Sequence, residues 1–203
     1  LYMILGVLLP HTKLYGGVKR FLELGNIFVE QGHRFIVFTP DGKGPDWFDF
    51  KGEMSTFDKI KGTKLDALWT TTVKMMPMVL ESDARHKIFY HVRKSDNVAK
   101  LMKNPEVEVF ACSSNVYEYG RESFKAIGGV TVANYKPKES YEVKDRPFVV
   151  MAYGRIVERV KGTHYVVSAC EKLYAQGYNI KLLLYDTPVD EGAARRIKEF
   201  TCK

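Results

Sequence analysis

Several kinds of chemistry are missing from this 203-residue sequence. No two aspartates lie two residues apart, so the Asp-x-Asp pair that holds a divalent metal is absent, and the histidines and cysteines show no zinc-ligand spacing. There is no Gly-x-x-x-x-Gly-Lys-Ser/Thr loop and no Gly-x-Gly-x-x-Gly fingerprint, which argues against a Walker-type ATPase and an ordinary nicotinamide dehydrogenase. Ser113 does not sit in a Gly-x-Ser-x-Gly elbow. Cysteine is scarce and odd in number: Cys112, Cys170 and Cys202 are scattered, which suits small core residues in a reducing compartment rather than a disulfide framework. No apolar run approaches the roughly 20 residues of a membrane span. The first nine residues lack the charged flank and cleavage region of a signal peptide and are read as a strand.

What is present is a chain able to bury a core. It is 45% apolar and 13% aromatic, enough for one large or two modest domains. A net charge of +7 leaves nucleic acid, an anionic membrane surface and phosphorylated small molecules as partner classes. The charges do not cluster, and no zinc-finger, helix-turn-helix or RNA-binding signature occurs, so a nucleic-acid partner is not expected.

The chain is organised around residues 146–188. The apolar run Phe148-Val149-Val150-Met151-Ala152 predicts a buried strand that breaks at Gly154 into a charged loop, with a helix starting near Thr163. Strand, loop and helix of this kind place the loop at the carboxyl edge of a parallel sheet, where helix N-terminal amides face a docked anion. Arg155 and Lys161 add two cations there, and Gly162 follows them. A planar guanidinium grips one phosphate bidentately while a flexible ammonium follows a second, which suits a diphosphate.

The same pattern opens the chain. Residues 2–9 are apolar and give way to Pro10-His11-Thr12-Lys13, then Gly16-Gly17, then a helical stretch ending at Gln31-Gly32, then Phe35-Ile36-Val37-Phe38 and Thr39-Pro40. In the second copy Lys161-Gly162 stands in place of Gly16-Gly17, Gln176-Gly177 matches Gln31-Gly32, and Leu182-Leu183-Leu184 leads through Asp186 to Thr187-Pro188 at another carboxyl edge. Two similar units imply two similar α/β domains, residues 1–140 and 146–203. Gly16 and Gly17 are either a plain tight turn or a place where the backbone approaches a ligand.

Between the copies, residues 41–64 are rich in Gly, Lys, Asp and aromatics and predict an excursion beyond the sheet. Trp47, Phe48 and Phe50 there either cover a core edge or stack on sugar rings or a membrane. Residues 64–70 predict a short buried strand, followed by a Met- and Thr-rich loop through Pro77 whose methionines fill gaps. Residues 87–92 predict a strand with His91 near its carboxyl end, either a satisfied core residue or one facing the ligand crevice. Further expectations are a helix capped by Ser95 or Asp96 and ended by Asn104-Pro105, a strand over 107–111, and a turn or cap at Ser113-Ser114. A helix over 116–127 closed by Gly128-Gly129, a strand over 130–133, an exposed connection over 135–145 and a last helix from Asp190 complete the reading.

The Gly-Gly turn into a helix ending Glu-Gln-Gly-His-Arg, the strand ending Phe-Thr-Pro, and then Tyr-Gly-Arg, Lys-Gly-Thr and Ala-Cys-Glu-Lys-Leu resemble the group 1, or family 4, glycosyltransferases. The resemblance implies the GT-B architecture of two Rossmann-like domains facing across a cleft, here with the second incomplete. It implies transfer of a sugar from a nucleotide diphosphate donor to a carbohydrate or lipid-linked acceptor, with retention of configuration and without metal or other cofactor. It also implies a cytoplasmic protein with peripheral contact to an anionic membrane as an option. By the resemblance Arg155 and Lys161 hold the donor diphosphate, Gly16 and Gly17 approach it from the first domain, Asp186 lies at the donor edge, and His91 sits near the transferred sugar. The family pattern continues into a Glu-x7-Glu element that these 203 residues do not reach. The alternative expectation is therefore a catalytically incomplete module that binds nucleotide diphosphates or a partner.

Overall fold

The structure is a computed structural model and describes residues 1–92, 97–119, 124–127, 136–137, 147–153 and 161–185. The chain divides into two compact units, Leu1–Thr131 and Val132–Lys203.

The first unit is an α/β layer structure built on one parallel sheet. Its strands are β1 (Ile4–Leu8), β2 (Arg34–Thr39), β3 (Glu53–Thr56), β4 (Ala67–Thr70), β5 (His86–His91), β6 (Val107–Ala111) and β7 (Phe124–Lys125), in the spatial order β3-β2-β1-β4-β5-β6-β7. All six pairings among the described residues are parallel. A parallel sheet is covered on both faces, which is why its central strands are continuous apolar runs: Val7, Leu8, Val37, Phe38 and Leu68 are fully buried. One face packs Leu8, Phe38, Leu68, Met76, Val79 and Val98 together, and the other packs Leu22, Phe35, Val37, Trp69 and Tyr90. The order of strands is that of a doubly wound, Rossmann-like sheet.

Helix α1 (Gly16–Glu30) buries Val18, Phe21, Leu22 and Gly25, the i, i+3, i+4, i+7 stripe of an amphipathic helix. Gly25 is a packing glycine, since a Cβ there would stand 2.7 Å from both the Phe35 and Phe50 rings. The helix ends in a paired hydrogen-bond cap: Gly32 N–H donates to Val29 O at 3.0 Å and His33 N–H to Phe28 O at 2.9 Å, with Gly32 at φ +83°.

Three expectations for this unit are corrected. The excursion over 41–64 contains β3, hidden in the sequence because Glu53-Met54-Ser55-Thr56 is an edge strand with no fully buried residue. The Met-rich segment is not a loop but a 3-10 turn (Val73–Met75) running into α2 (Met76–Leu80), and Pro77 is tolerated because first-turn amides have no intrahelical partner. Its Met75 and Met76 do fill the core. The expected helix over 116–127 is instead α4 (Ser114–Tyr119) followed by β7, because Phe124 and Lys125 pair with Phe110 and Ala111 at the sheet edge. Phe124 sets its ring edge-on to Phe110 at 5.5 Å. Ser113 caps α4 through its hydroxyl, which accepts the Val116 N–H at 3.4 Å. Helix α3 (Asn97–Met102) closes near Asn104, whose N–H donates to Leu101 O at 3.0 Å. The caps at Ser95 or Asp96, Gly128-Gly129, the strand over 130–133, most of the connection over 135–145 and the helix from Asp190 lie outside the described residues.

The second unit contains β8 (Phe148–Tyr153) paired in parallel with β9 (Ile180–Tyr185), joined through α5 (Thr163–Ala175); β8 forms where expected but is not the buried strand expected, since only Ala152 on it is buried. Helix α5 ends as α1 does: Gly177 N–H donates to Tyr174 O at 2.9 Å, Tyr178 N–H to Leu173 O at 3.2 Å, and Gly177 has φ +86°. The two copies of the sequence pattern therefore share a strand, a helix of the same hand, a glycine stop and a parallel return strand. They differ at the helix start. Gly16 and Gly17 are the first two residues of α1, whereas Lys161 and Gly162 precede α5, with Gly162 as its left-handed N-cap at φ +69°.

Candidate functional site

From β1 the chain moves outward to β2 and β3, then returns to the other side of β1 as β4. The connections leaving β1 and β4 diverge, and in open α/β sheets ligands bind outside the carboxyl ends of the strands at such a switch point. The two exits are tied to each other. Thr70, fully buried at the end of β4, donates its hydroxyl to Leu8 O at 3.3 Å and accepts the Thr72 N–H at 3.2 Å. Leu9 N–H in turn donates to Phe38 O at 3.0 Å, so the start of the β1–α1 loop is fixed to β2.

That loop delivers the N-terminus of α1 to the same edge. Tyr15 is the N-cap, offers no side-chain cap, and no acidic residue lies in the first turn. The first amides and the positive end of the helix dipole are thus left without a carboxylate or hydroxyl from the helix itself. Gly16 and Gly17 are both exposed, neither has a positive φ, and a Cβ on either would meet nothing within 4 Å. Neither backbone conformation nor packing requires glycine there, and glycine costs helix stability relative to alanine.

Around this point stand His11, Thr12, Lys13 and Lys43. The His11 ring lies 5.0 Å from the Tyr15 ring, and its Nδ1, shielded from solvent, has no hydrogen-bond partner among the described residues. Lys13 and Lys43 are exposed and in no ion pair among the described residues. His11 was not singled out from the sequence. Its signal was its position, three residues past the strand end and five before Gly16.

His91 ends β5, two strands away from β1, and is 1% exposed. Its ring sits 6.1 Å from that of Phe89, and its carbonyl accepts the Cys112 N–H at 3.0 Å. It is at the carboxyl edge in sequence register and within the core by burial. Trp47, Phe48 and Phe50 pack against the apolar face beside α1, so of their two readings the core-edge cover is the one observed.

In the second unit, Lys161 is exposed immediately before Gly162. Helix α5 carries no acidic residue in its first turn and no side-chain cap, and Thr163 is 2% exposed with its hydroxyl shielded and without a hydrogen-bond partner among the described residues. Gly154, Arg155 and Asp186 lie outside the described residues. The described residues contain no group of three His, Cys, Asp or Glu side chains placed to hold a metal ion, and no helix among them is long and apolar enough to cross a membrane.

A separate cavity of about 640 Å³ lies against the side of α1, lined chiefly by Phe21, Leu24, Phe28, Trp69, Ile88 and Phe110. Arg20 Nη1 donates to Tyr90 OH at 2.8 Å on its lining, and that hydroxyl donates to Ala126 O at 2.8 Å. No residue of the β1–α1 loop borders this cavity, so it is distinct from the switch-point edge. No protein-family model matches this chain, and no curated protein matches it.

Proposed function

We propose that this chain binds a nucleotide diphosphate sugar and serves a retaining, metal-independent glycosyltransferase of GT-B type. The observation that carries the reading is Gly16-Gly17: two exposed glycines in the first turn of α1, at a switch point, which neither conformation nor packing requires. Glycine at such a place lets a diphosphate come within reach of the free amides. The paired unit supports it, with Lys161 beside a second acid-free helix start.

In the proposed chemistry the bond between the sugar and the diphosphate breaks, and negative charge accumulates on the leaving diphosphate. Preorganised cations there stabilise the transition state more than the ground state. Arg155 and Lys161 are assigned that task in the second unit, the amides of Gly16 and Gly17 the binding of a diphosphate on the first, and His91 a place near the sugar. The acceptor is a carbohydrate or a lipid-linked sugar.

Titration calorimetry with UDP-glucose and GDP-mannose tests the reading. Binding of either that is lost in Gly17→Val supports it, and no heat from either donor rejects it. A second reading is a binding module without turnover: Phe148 and Met151 on β8 are exposed, an apolar surface open to a partner. Donor binding without sugar transfer or donor hydrolysis selects that reading.

A further inference from the structure

The segment between β2 and β3 is fastened to the opening helix unit at two separate places. At its far end Asn26 on α1 makes two hydrogen bonds, donating to Asp49 O at 2.9 Å and accepting the Lys51 N–H at 2.8 Å. At its near end Trp47 Nε1 donates to Thr12 O at 2.8 Å, and Thr12 Oγ1 donates to Lys43 O at 3.4 Å. Asp41 sets the turn from which the segment departs, its Oδ1 accepting from Thr39 Oγ1 at 3.3 Å and from Lys43 N–H at 3.2 Å.

Trp47 is half-buried against the apolar face beside α1, with its ring 5.8 Å from Phe48. A core-covering aromatic needs no donor. The indole N–H instead goes to a main-chain carbonyl of the one loop that leads into Gly16-Gly17. The loop from Leu9 to Tyr15 has no regular structure, and its amino end is held by Leu9 on β2 while its carboxyl end becomes α1. Thr12 lies midway, so a bond at its carbonyl fixes the part that neither strand nor helix controls.

We infer that Trp47 is a positioning residue, holding the β1–α1 loop in the form that presents the Gly16-Gly17 amides to an anion. The assignment rests on the proposed reading of that loop as a diphosphate site. Asn26, which anchors the same segment without touching the loop, provides the contrast.

The test compares Trp47→Phe, which keeps a ring in the core and removes the donor, with Asn26→Ala. Two readouts are taken: the rate of tryptic cleavage after the exposed Lys13, and the dissociation constants of UDP and GDP. Losing one hydrogen bond of ordinary net strength corresponds to about a five-fold change. Trp47→Phe is expected to raise cleavage after Lys13 by about five-fold and to weaken diphosphate binding by a similar factor, with Asn26→Ala changing neither. Equal cleavage in Trp47→Phe and the parent overturns the inference, as do equal effects from the two variants or faster cleavage with unaltered diphosphate affinity. If the parent binds neither UDP nor GDP, the functional reading and the presentation role fall together, and the cleavage comparison alone decides whether Trp47 orders the loop.

Discussion

Arg20 and Tyr90 are joined twice: the guanidinium donates to the phenol oxygen at 2.8 Å and stands 5.6 Å from the centre of the same ring. The phenol donates its own O–H to Ala126 O, so one side chain on β5 links α1 to the segment following β7. Burial, against the opposing influence of Arg20, pushes the phenol above the ordinary tyrosine range and keeps it a neutral donor. Tyr90→Phe retains the edge-on contact with Phe21, whose ring centre is 5.7 Å away, and removes only the hydroxyl. It is expected to cost about 1 kcal/mol in urea denaturation. A loss below a few tenths would mean that water replaces both bonds.

Arg34 on β2 and Glu53 on β3 form a two-pronged pair, Nε to Oε1 at 2.6 Å and Nη2 to Oε2 at 2.7 Å. Hydrogen bonding from Arg34, aided by its charge, holds the Glu53 carboxyl below the usual glutamate range. A carboxylate with a depressed folded-state pKa adds stability above its unfolded pKa and loses it as pH falls through the folded value. Because the side chains are 40% and 51% exposed, solvent screening limits the pair to about 0.5 kcal/mol. Glu53→Gln should lower stability by that much at pH 7 and by nothing once the parent is acidified below the folded pKa. A difference that persists in acid would assign the effect to packing of β3.

How much of this was legible in the sequence follows from burial. The strands with buried apolar runs, β1, β2, β4, β5 and β6, announce themselves because a two-sided parallel sheet admits little else. The glycine stops at Gly32 and Gly177 are equally legible, since both positions have φ above +80°. Strand β3 was not, because at the sheet edge Glu53 is exposed and the other three residues are only half-buried, so no apolar run marks it. Strand β7 was not either: its two residues carry no pattern of their own and are strands only through β6. At the candidate site, Gly16 and Gly17 were readable as glycines, but only the open space around their Cα atoms separates a packing role from an approach role. His11 and the bond from Trp47 to Thr12 join residues far apart in the chain or without a motif, and no spacing rule reveals them.

Three glycines of one helix should respond differently to the same substitution. Gly25→Ala forces a Cβ to within 2.7 Å of two aromatic rings and is expected to cost about 1–3 kcal/mol. Gly16→Ala and Gly17→Ala meet no atoms and adopt no left-handed backbone, so each should stabilise the unit by up to about 0.5–1 kcal/mol. If those glycines serve an anion, the same two variants should bind UDP or GDP less tightly. Denaturation and calorimetry on one set of proteins measure both. Stabilisation with unchanged diphosphate affinity would leave the glycines without a function.

Lys161 tests the part of the proposal that falls on the second unit. It is exposed, it precedes the left-handed Gly162, and it stands before a helix whose first turn has no acidic residue. A solvated loop lysine with no role would be worth well under about 1 kcal/mol to anything measured. A lysine beside a leaving diphosphate is worth most when charge has built up on it, so its removal should act on turnover more than on donor affinity. In a preparation that transfers sugar, Lys161→Ala is expected to reduce kcat by a factor equivalent to about 2–4 kcal/mol, with a smaller change in donor KM. Arg155→Lys should also lower turnover, because an ammonium cannot reproduce two parallel hydrogen bonds to a phosphate. Lys161→Ala with normal kcat and normal donor binding would make the loop before α5 structural. The diphosphate would then have to be held by the first unit's Gly16-Gly17 edge alone, an arrangement in which Gly17→Val abolishes binding while every substitution at Lys161 is silent.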